Sequence, residues 1–509
     1  MNKYLYFIFL ISCSIITNAQ TTFNTTYNID RYSEVGLGLL PTIDTSYMLY
    51  GTYLDRDVLP GWQLQGFYIA KVNEIGEVIW LKKYSNNKGI YIGGYNSLIS
   101  TKDGGFASAG SFREIDTEMG GYKNADYFLV KFNSEGDTLW VKTYGSELAE
   151  GAIQCKETLD GGFAIIGSKV YNEINKDAYL IRTDKDGDLL WEQNYGGAAW
   201  DGGVSVEITE DNGFLIGGGW DQNIGEAEGL DGAIISVDSL GSINWLKKHG
   251  EEEAHCLMVS FHSTISGFIT HSCKLYITED DYWTPAYISR LDENAEVDWL
   301  WESPVQSDYK VVTKMIEQED GSIVFSGYHL FPNPIALAWG WIGKLSLEGE
   351  LLWEKEYFTD ENGYNVLYDI VPTSDGGFLA TGNAMNPLDS LNEEGRNIWL
   401  LKVNCEGDLE HSNVCTDIDV GIEDELLLKQ NSLHIFPNPS QNQVQFAWNT
   451  PATQLSVYNL TGQLMEQVPL DSGQKALQLE VADWRSGVYF AVLEGAEGAI
   501  LGREKLVVR

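Results

Sequence analysis

Four of the seven histidines stand close together, at His249, His255, His262 and His271, and imidazole clusters are a first place to look for a transition metal. The segment predicts a hairpin about the turn HSTISG, in which His255 and His271 fall on opposite faces. The four therefore do not converge, and no metal or cofactor is expected. Asp184, Asp186 and Asp188 alternate like the start of a calcium loop, but the glycine at the sixth position and the closing glutamate are missing. A structural turn accounts for them better. No G-x-S-x-G elbow, H-E-x-x-H pair or phosphate loop is present. What remains is a set of rings beside acids: Trp200 with Asp201, Trp220 with Asp221, and Tyr282 and Trp283 in DDYW. Such pairs suit stacking on a glycan or peptide with a carboxylate to orient it, and they form the candidate ligand face. Ordinary loop anchoring is the competing explanation.

The chemistry leads to two function classes. A non-catalytic binding or adhesion protein requires the aromatic loop residues to gather in one patch. A secreted polysaccharide hydrolase or lyase requires carboxylates from distant loops to converge, at least one with a perturbed pKa. Without a catalytic signature the first is expected. With 33 basic against 74 acidic residues the net charge is −41, which repels phosphate backbones and excludes nucleic acid as an expected partner.

The opening residues read as an export signal, 1–19: Lys3, then the apolar run Tyr4 to Ile16, then TNAQ with cleavage between Ala19 and Gln20. LISC (Leu10 to Cys13) resembles a lipoprotein box, but Ile15 and Ile16 continue the apolar run beyond the cysteine and favour ordinary cleavage. Outside the cytosol cysteines can pair. Cys256 and Cys273 lie symmetrically about HSTISG, Cys405 and Cys415 bracket a short segment, and Cys155 is expected to be a buried small apolar residue.

The elements that must position these residues repeat. The turn DGGF recurs with its first residue at Asp44, Asp103, Asp160, Asp211, Ile265, Asp320 and Asp375, at intervals of 59, 57, 51, 54, 55 and 55 residues. Between these turns lie units such as DYFLVKFNSEGDTLW, with tryptophans at Trp80, Trp140, Trp191, Trp245, Trp299 and Trp353, and His411 in the seventh copy. Each repeat reads as four short strands with glycine-borne tight turns and no helical periodicity. The predicted fold is all-β: a seven-bladed β-propeller over 20–415. The tryptophans, and the tyrosines four residues after several of them, are expected to pack blade on blade. Residues 21–27 are expected to supply the outer strand of blade 7 beside 397–404. The tight turns fall at one end of the ring. The variable connections (55–65, 113–124, 220–230, 274–284 and 386–396) fall at the other, where ligands are expected.

The repeats resemble those of seven-bladed proteins sharing DAYL…D…G…W…YGG…DGGF…G, a resemblance that carries no catalytic residue. Sialidase-type boxes place tryptophan three residues after glycine, whereas Gly136–Trp140 and Gly187–Trp191 are four apart. Quinone-dependent dehydrogenase propellers need a longer acid-to-glycine spacing that is missing. After an acidic linker, 416–432, residues 433–509 read as a small β-sandwich. FPNP (Phe436, Pro437, Asn438, Pro439), VYNLTGQ with Gly462, SGVYF with Gly487 and Tyr489, and the terminal KLVVR resemble the type A sorting domain of type IX secretion cargo in Bacteroidetes-like bacteria. The resemblance implies export across the outer membrane and recognition by the secretion machinery. It also implies removal of the domain, with release or attachment to surface lipopolysaccharide.

Overall fold

The computed structural model describes residues 21–409 and 433–508 apart from some connections, the longest being 56–63, 221–230, 250–254, 332–336, 386–394 and 437–442. Ala19, Gln20, Asp221, Cys415, the 416–432 linker, Pro437, Asn438, Pro439 and Gly462 lie outside the described residues. Two compact units, Met1–Cys415 and Thr416–Arg509, are each described by themselves.

The first unit is a β-propeller of seven antiparallel four-stranded sheets. Blade 1 runs Glu34–Pro41, Tyr47–Asp55, Leu64–Val72 and Val78–Tyr84 from inner to outer strand. Blades 2 to 6 repeat this order through Tyr144, Tyr195, His249, Glu302 and Tyr357. Blade 7 has three strands of its own, Tyr364–Pro372, Phe378–Met385 and Asn397–Val403, and borrows its outer strand, Phe23–Tyr27, from the other end of the chain. The register runs from Phe23 opposite Lys402 to Tyr27 opposite Ile398, as the repeat spacing predicts. Side chains reinforce the seam: the Trp399 indole donates to Asn24 Oδ1 (2.7 Å) and Lys402 Nζ to Thr21 Oγ1 (2.8 Å).

The repeated DGG is a structural turn. In blade 3, Asp160 Oδ1 accepts from the Thr158 hydroxyl (2.6 Å) and the Gly162 amide (3.3 Å), and Arg182 docks on the same carboxylate. Lys71, Lys131 and Lys402 play the same part for Asp44, Asp103 and Asp375 at 2.6, 2.9 and 2.8 Å. Burial works against ionisation of Asp103, but bonds from Thr101, Lys131 and the Gly105 amide outweigh it and hold the pKa near about 2. In blade 5, where Ile265 replaces the aspartate, Arg290 reaches across to Glu317 of blade 6 (2.8 Å).

Blades are joined by rings resting on glycines. The outer hairpin of each blade turns at a residue with positive φ, and the ring of the preceding blade covers it. Trp80 lies on Gly136, Trp140 on Gly187, Trp191 on Gly241, Trp299 on Gly349 and Trp353 on Gly407. At the seam Phe23 takes the indole's place over Gly76. In blade 5 the turn residue is Ala295, fully buried at φ +58° in a cluster with Trp245. Hydroxyls four residues along donate to the same turns: Tyr144 to Gly187 O (2.7 Å), Tyr195 to Gly241 O (2.9 Å), Tyr357 to Gly407 O (2.6 Å), and Tyr27 to Gly76 O. Lys82 and Lys355 add ion pairs to Asp137 and Asp408 of the following blades (2.5 and 2.6 Å).

The second unit is a small β-sandwich. One sheet orders His434–Phe436, Gln443–Ala447 and Ala476–Glu480; the other orders Leu464–Pro469, Gln454–Asn459, Gly487–Glu494 and Ile500–Val508. Val444, Phe446, Trp448, Leu455, Val457, Tyr489 and Leu506 fill the space between. Gly487 opens the strand that pairs with the chain's last residues, opposite Val508, and the Tyr489 hydroxyl donates to Arg485 O (2.7 Å).

The glycine-ring contact can be separated from the backbone cost of a left-handed turn. At Gly104 (φ +81°) an added methyl meets open space; at Gly187 (φ +76°) it meets Trp140 at 2.8 Å. Gly104→Ala is expected to lose about 1–2 kcal/mol from backbone strain alone, and Gly187→Ala distinctly more. Thermal unfolding of the full chain should rank wild type, then Gly104→Ala, then Gly187→Ala. Equal losses would show that the ring contact contributes nothing.

Candidate functional site

The axis and the rim offer different chemistry. Inner strands slip register once per blade, leaving Leu37, Ile153, Val204, Thr313 and Tyr368 unpaired about the axis of blades 1, 3, 4, 6 and 7. Blade 2 departs further: its inner strand breaks between Gly93 and Ile99, and the intervening residues cross the channel. The Asn96 amide N–H bonds Leu37 O of blade 1 (3.2 Å), and its side-chain Nδ2 bonds Thr313 O of blade 6 (2.8 Å). The Tyr95 ring packs on Tyr368 of blade 7 at 4.9 Å. Cys155, buried and free, anchors the loop from blade 3 through Ser97 O (3.2 Å), and burial pushes its thiol up to about 12. The channel is thus bridged at mid-height.

Beneath Tyr368 lies Asp369, a buried carboxylate that accepts the amides of Leu39 (2.7 Å) and Ile370 (2.9 Å), with Lys314 at 3.9 Å. Gln154 makes the equivalent bond to Val206 between blades 3 and 4 (2.9 Å), which marks the position as a blade-to-blade link. Burial raises the Asp369 pKa despite Lys314 and the two amides.

On the rim, blade 6 carries a run of rings. His329 contacts Phe331 (4.0 Å), Phe331 meets Trp339 edge to face (4.8 Å), and Trp339 lies 4.9 Å from Phe358. Phe358 is 40% exposed, and Phe331 and Trp339 are half-buried. The run starts at the loop end of the second strand, crosses the third, and ends just past the fourth. Its carboxylates are engaged. Glu356 Oε1 bonds His329 Nδ1 (2.6 Å), which draws the glutamate's pKa down. Glu354 Oε2 accepts from Lys310 (3.0 Å) and the Trp341 indole (2.9 Å).

The residues singled out from sequence disperse. Trp200, 46% exposed, has Lys176 over its ring (4.5 Å). Asp201 is buried and accepts the Gly197 amide (2.8 Å), tying down the connection into blade 4. Glu150 does the same through Ser146, and Asn365 through Thr359 (2.8 Å), at equivalent positions of blades 3 and 7. Trp220 packs against the core between blades 3 and 4. Tyr282 and Trp283 form a short strand on Tyr276 and Ile277, and Thr284 bridges Tyr309, which brings this segment beside blade 6. Asp184 accepts the amides of Asp186 (2.9 Å) and Asp188 (2.8 Å), and Asp188 pairs with Lys142 of blade 2, so the triplet is a turn. The expected pairing of Cys256 with Cys273 does not form: Cys256 faces Lys274 and Cys273 faces Ala286. The strands close on Thr264 opposite Gly267, one position later than the centre of HSTISG, and the one-residue shift between the two inner segments only partly offsets this.

Two carboxyl groups have raised pKa values on the loop side. Asp126 is raised by burial, then by Glu150 and Glu114; Asp177 is raised by burial. Both lie under the glycine that follows the outer strand, Gly145 and Gly196, in successive blades. The shift accompanies a repeated packing position rather than a unique cleft.

Residues 434–509 match the family described as the secretion system C-terminal sorting domain. The protein is therefore exported through type IX secretion to the cell surface or extracellular space, and the domain implies interaction with that machinery. Solved structures similar to the chain include the β-propeller domain of the trilobed protease from Pyrococcus furiosus, described as having an open velcro topology (11% identity, TM-score 0.40, covering 79% of this chain and 99% of that one). The α-L-arabinofuranosidase arb93a of Fusarium graminearum is similar at 12% identity and TM-score 0.35, covering 76% and 99%. PorZ, a surface component of the type IX system of Porphyromonas gingivalis, is similar at 10% and 0.28, covering 92% and 69%. No curated protein sequence matches the chain.

The buried Asp369 gives a pH signature. Its folded-state pKa lies above the ordinary carboxylate value, so its stabilising contribution is complete below that ordinary value and is lost as pH rises through the raised one. Asp369→Asn keeps an acceptor oxygen without the charge. The variant's thermal midpoint is expected to gain on wild type between pH 4 and pH 7. A constant difference across that range would place the charge in solvent.

Proposed function

We propose that this propeller, carried outside the cell by its C-terminal sorting domain, is a non-catalytic binding or adhesion module that holds a glycan or protein ligand on its loop-bearing rim. The observation that supports it is the ring run His329, Phe331, Trp339 and Phe358 on blade 6. Phe331, Trp339 and Phe358, staggered and partly exposed beside the buried His329, present flat apolar faces to a sugar ring or an aromatic side chain, at about 0.5–1.5 kcal/mol per ring pair. The neighbouring Glu354 and Glu356 are held by Lys310, Trp341 and His329. Carboxylates paired in this way orient a ligand by accepting hydrogen bonds and are poorly placed to shuttle protons. After sorting, we take the chain to be released or attached to surface lipopolysaccharide.

Glycan and peptide arrays probed with the secreted chain are expected to retain a ligand without altering it. Trp339→Ala is expected to weaken retention by roughly tenfold, while Trp200→Ala, on the far side of the ring, leaves it intact. Turnover of an arrayed polysaccharide would overturn the reading in favour of a hydrolase or lyase.

A further inference from the structure

The channel-crossing loop does more than brace the ring, because it gives the loop-side mouth of the axis a floor. Four tyrosines gather above it from three blades. Tyr364 opens the inner strand of blade 7, Tyr368 is its unpaired residue, Tyr328 lies on the second strand of blade 6, and Tyr95 rises from the crossing loop, 50% exposed. Tyr95 and Tyr368 pack at 4.9 Å with a 35° tilt, and Tyr328 and Tyr364 lie within electrostatic reach of Tyr368. Arg396 completes the group. Its carbonyl oxygen is fixed by the Glu34 amide (2.7 Å) and its side chain is exposed; burial raises the Tyr95 and Tyr368 pKa values, and the Arg396 charge lies near enough to oppose that rise in part. Among the described residues no carboxylate pairs with Arg396, in a chain of net charge −41. The nearby Lys314, by contrast, is directed at Asp369.

We propose that this axial cup is a ligand site separate from the blade 6 rim, and that it takes a carboxylate-bearing saccharide, a hexuronate unit. Tyrosine faces stack on the C–H face of a pyranose while their hydroxyls exchange hydrogen bonds with its hydroxyls. The Arg396 guanidinium receives the carboxylate in a two-pronged bond that a neutral sugar does not make. At physiological ionic strength the Debye length is about 8 Å, so this contact is shielded from the acidic surface at large. The floor sets the mode of entry. Asn96 and its bonds to Leu37 and Thr313 close the axis at mid-height, so a polymer cannot thread the ring and only a chain end or a short branch fits.

Titration calorimetry on the secreted full chain at 0.15 M salt, with tetragalacturonate and the neutral β-1,4-galactotetraose as probes, tests this directly. Tetragalacturonate is expected to bind about tenfold or more tightly than the neutral probe, the margin of a charge-assisted bond. Arg396→Gln, an exposed change that leaves the fold intact, erases that margin, and Tyr368→Ala weakens both probes. Trp339→Ala leaves uronate binding unchanged, so a failure of the rim reading and a failure of this one are distinguishable. Equal binding of the two tetrasaccharides, binding of neither, or indifference to Arg396→Gln would overturn the proposal. Loss of uronate binding in Trp339→Ala would overturn the separateness of the two sites.

Discussion

The ring depends on one contact made seven times: a side-chain ring lying over a residue in the left-handed conformation on the next blade. A four-stranded sheet has two faces to bury, and neither is covered within its own repeat. Glycine at the outer turn solves two problems together. It accepts the positive φ that the tight hairpin demands, and its missing side chain leaves a flat seat for an indole. At four of the seats a tyrosine hydroxyl four residues on donates to the carbonyl of that same glycine, which fixes those seats in orientation as well as in depth. Nothing in the contact is specific to one blade, which is why Phe23 can take the indole's place at the seam and Ala295 the glycine's place in blade 5.

That uniformity explains why the interesting departures are local. Because the outer turns and the DGG turns carry so much of the assembly, the axis-facing bulges and the loop-side connections are freer to vary, even though inner strands keep links such as Asp369 to Leu39 and Gln154 to Val206. Blade 2 uses this freedom to send residues across the axis, and blade 6 uses it to place rings along its loop edge. The acids, with one amide among them, follow the same division. At the tight-turn end Asp44, Asp103, Asp160 and Asp375 are each held by a lysine or arginine from the third strand. At the loop end Asp201, Glu150 and Asn365 hold down the crossovers.

Blade number, strand order and the borrowed closing strand were legible in the sequence because each rests on local, repeated chemistry: DGG, the tryptophan, and the alternation around them. The crossing loop had a signal, since the interval from Asp44 to Asp103 is the longest of the six, but a length excess does not say where the extra residues go. The rings of blade 6 had none. His329, Phe331, Trp339 and Phe358 come from two strands and the residue just past a third, and only pairing brings them together. Asp201 was misleading in the opposite way. Beside an exposed tryptophan it reads as a ligand contact, whereas its repeat position, shared with Glu150, Lys310 and Asn365, is a buried one in every described case. In the second unit, Gly487 and Tyr489 were legible as motif residues, and their roles, a strand opening and a hydroxyl-capped core ring, became visible only with the sheets.

The borrowed strand also sets the order of events in folding. Trp399 and Asn24 are 375 positions apart and Thr22 and Leu409 are 387 apart, so the seam bonds close loops that span nearly the whole unit. Loop-closure entropy grows only logarithmically, about 0.6 kcal/mol per doubling, so the finished ring bears this cost easily. The rate does not escape so lightly, because distant partners must find each other late. Six blades can assemble from neighbouring segments as soon as they are available, while the seventh waits with one edge bare. During export, that unfinished edge is the part of the molecule most open to capture by another chain.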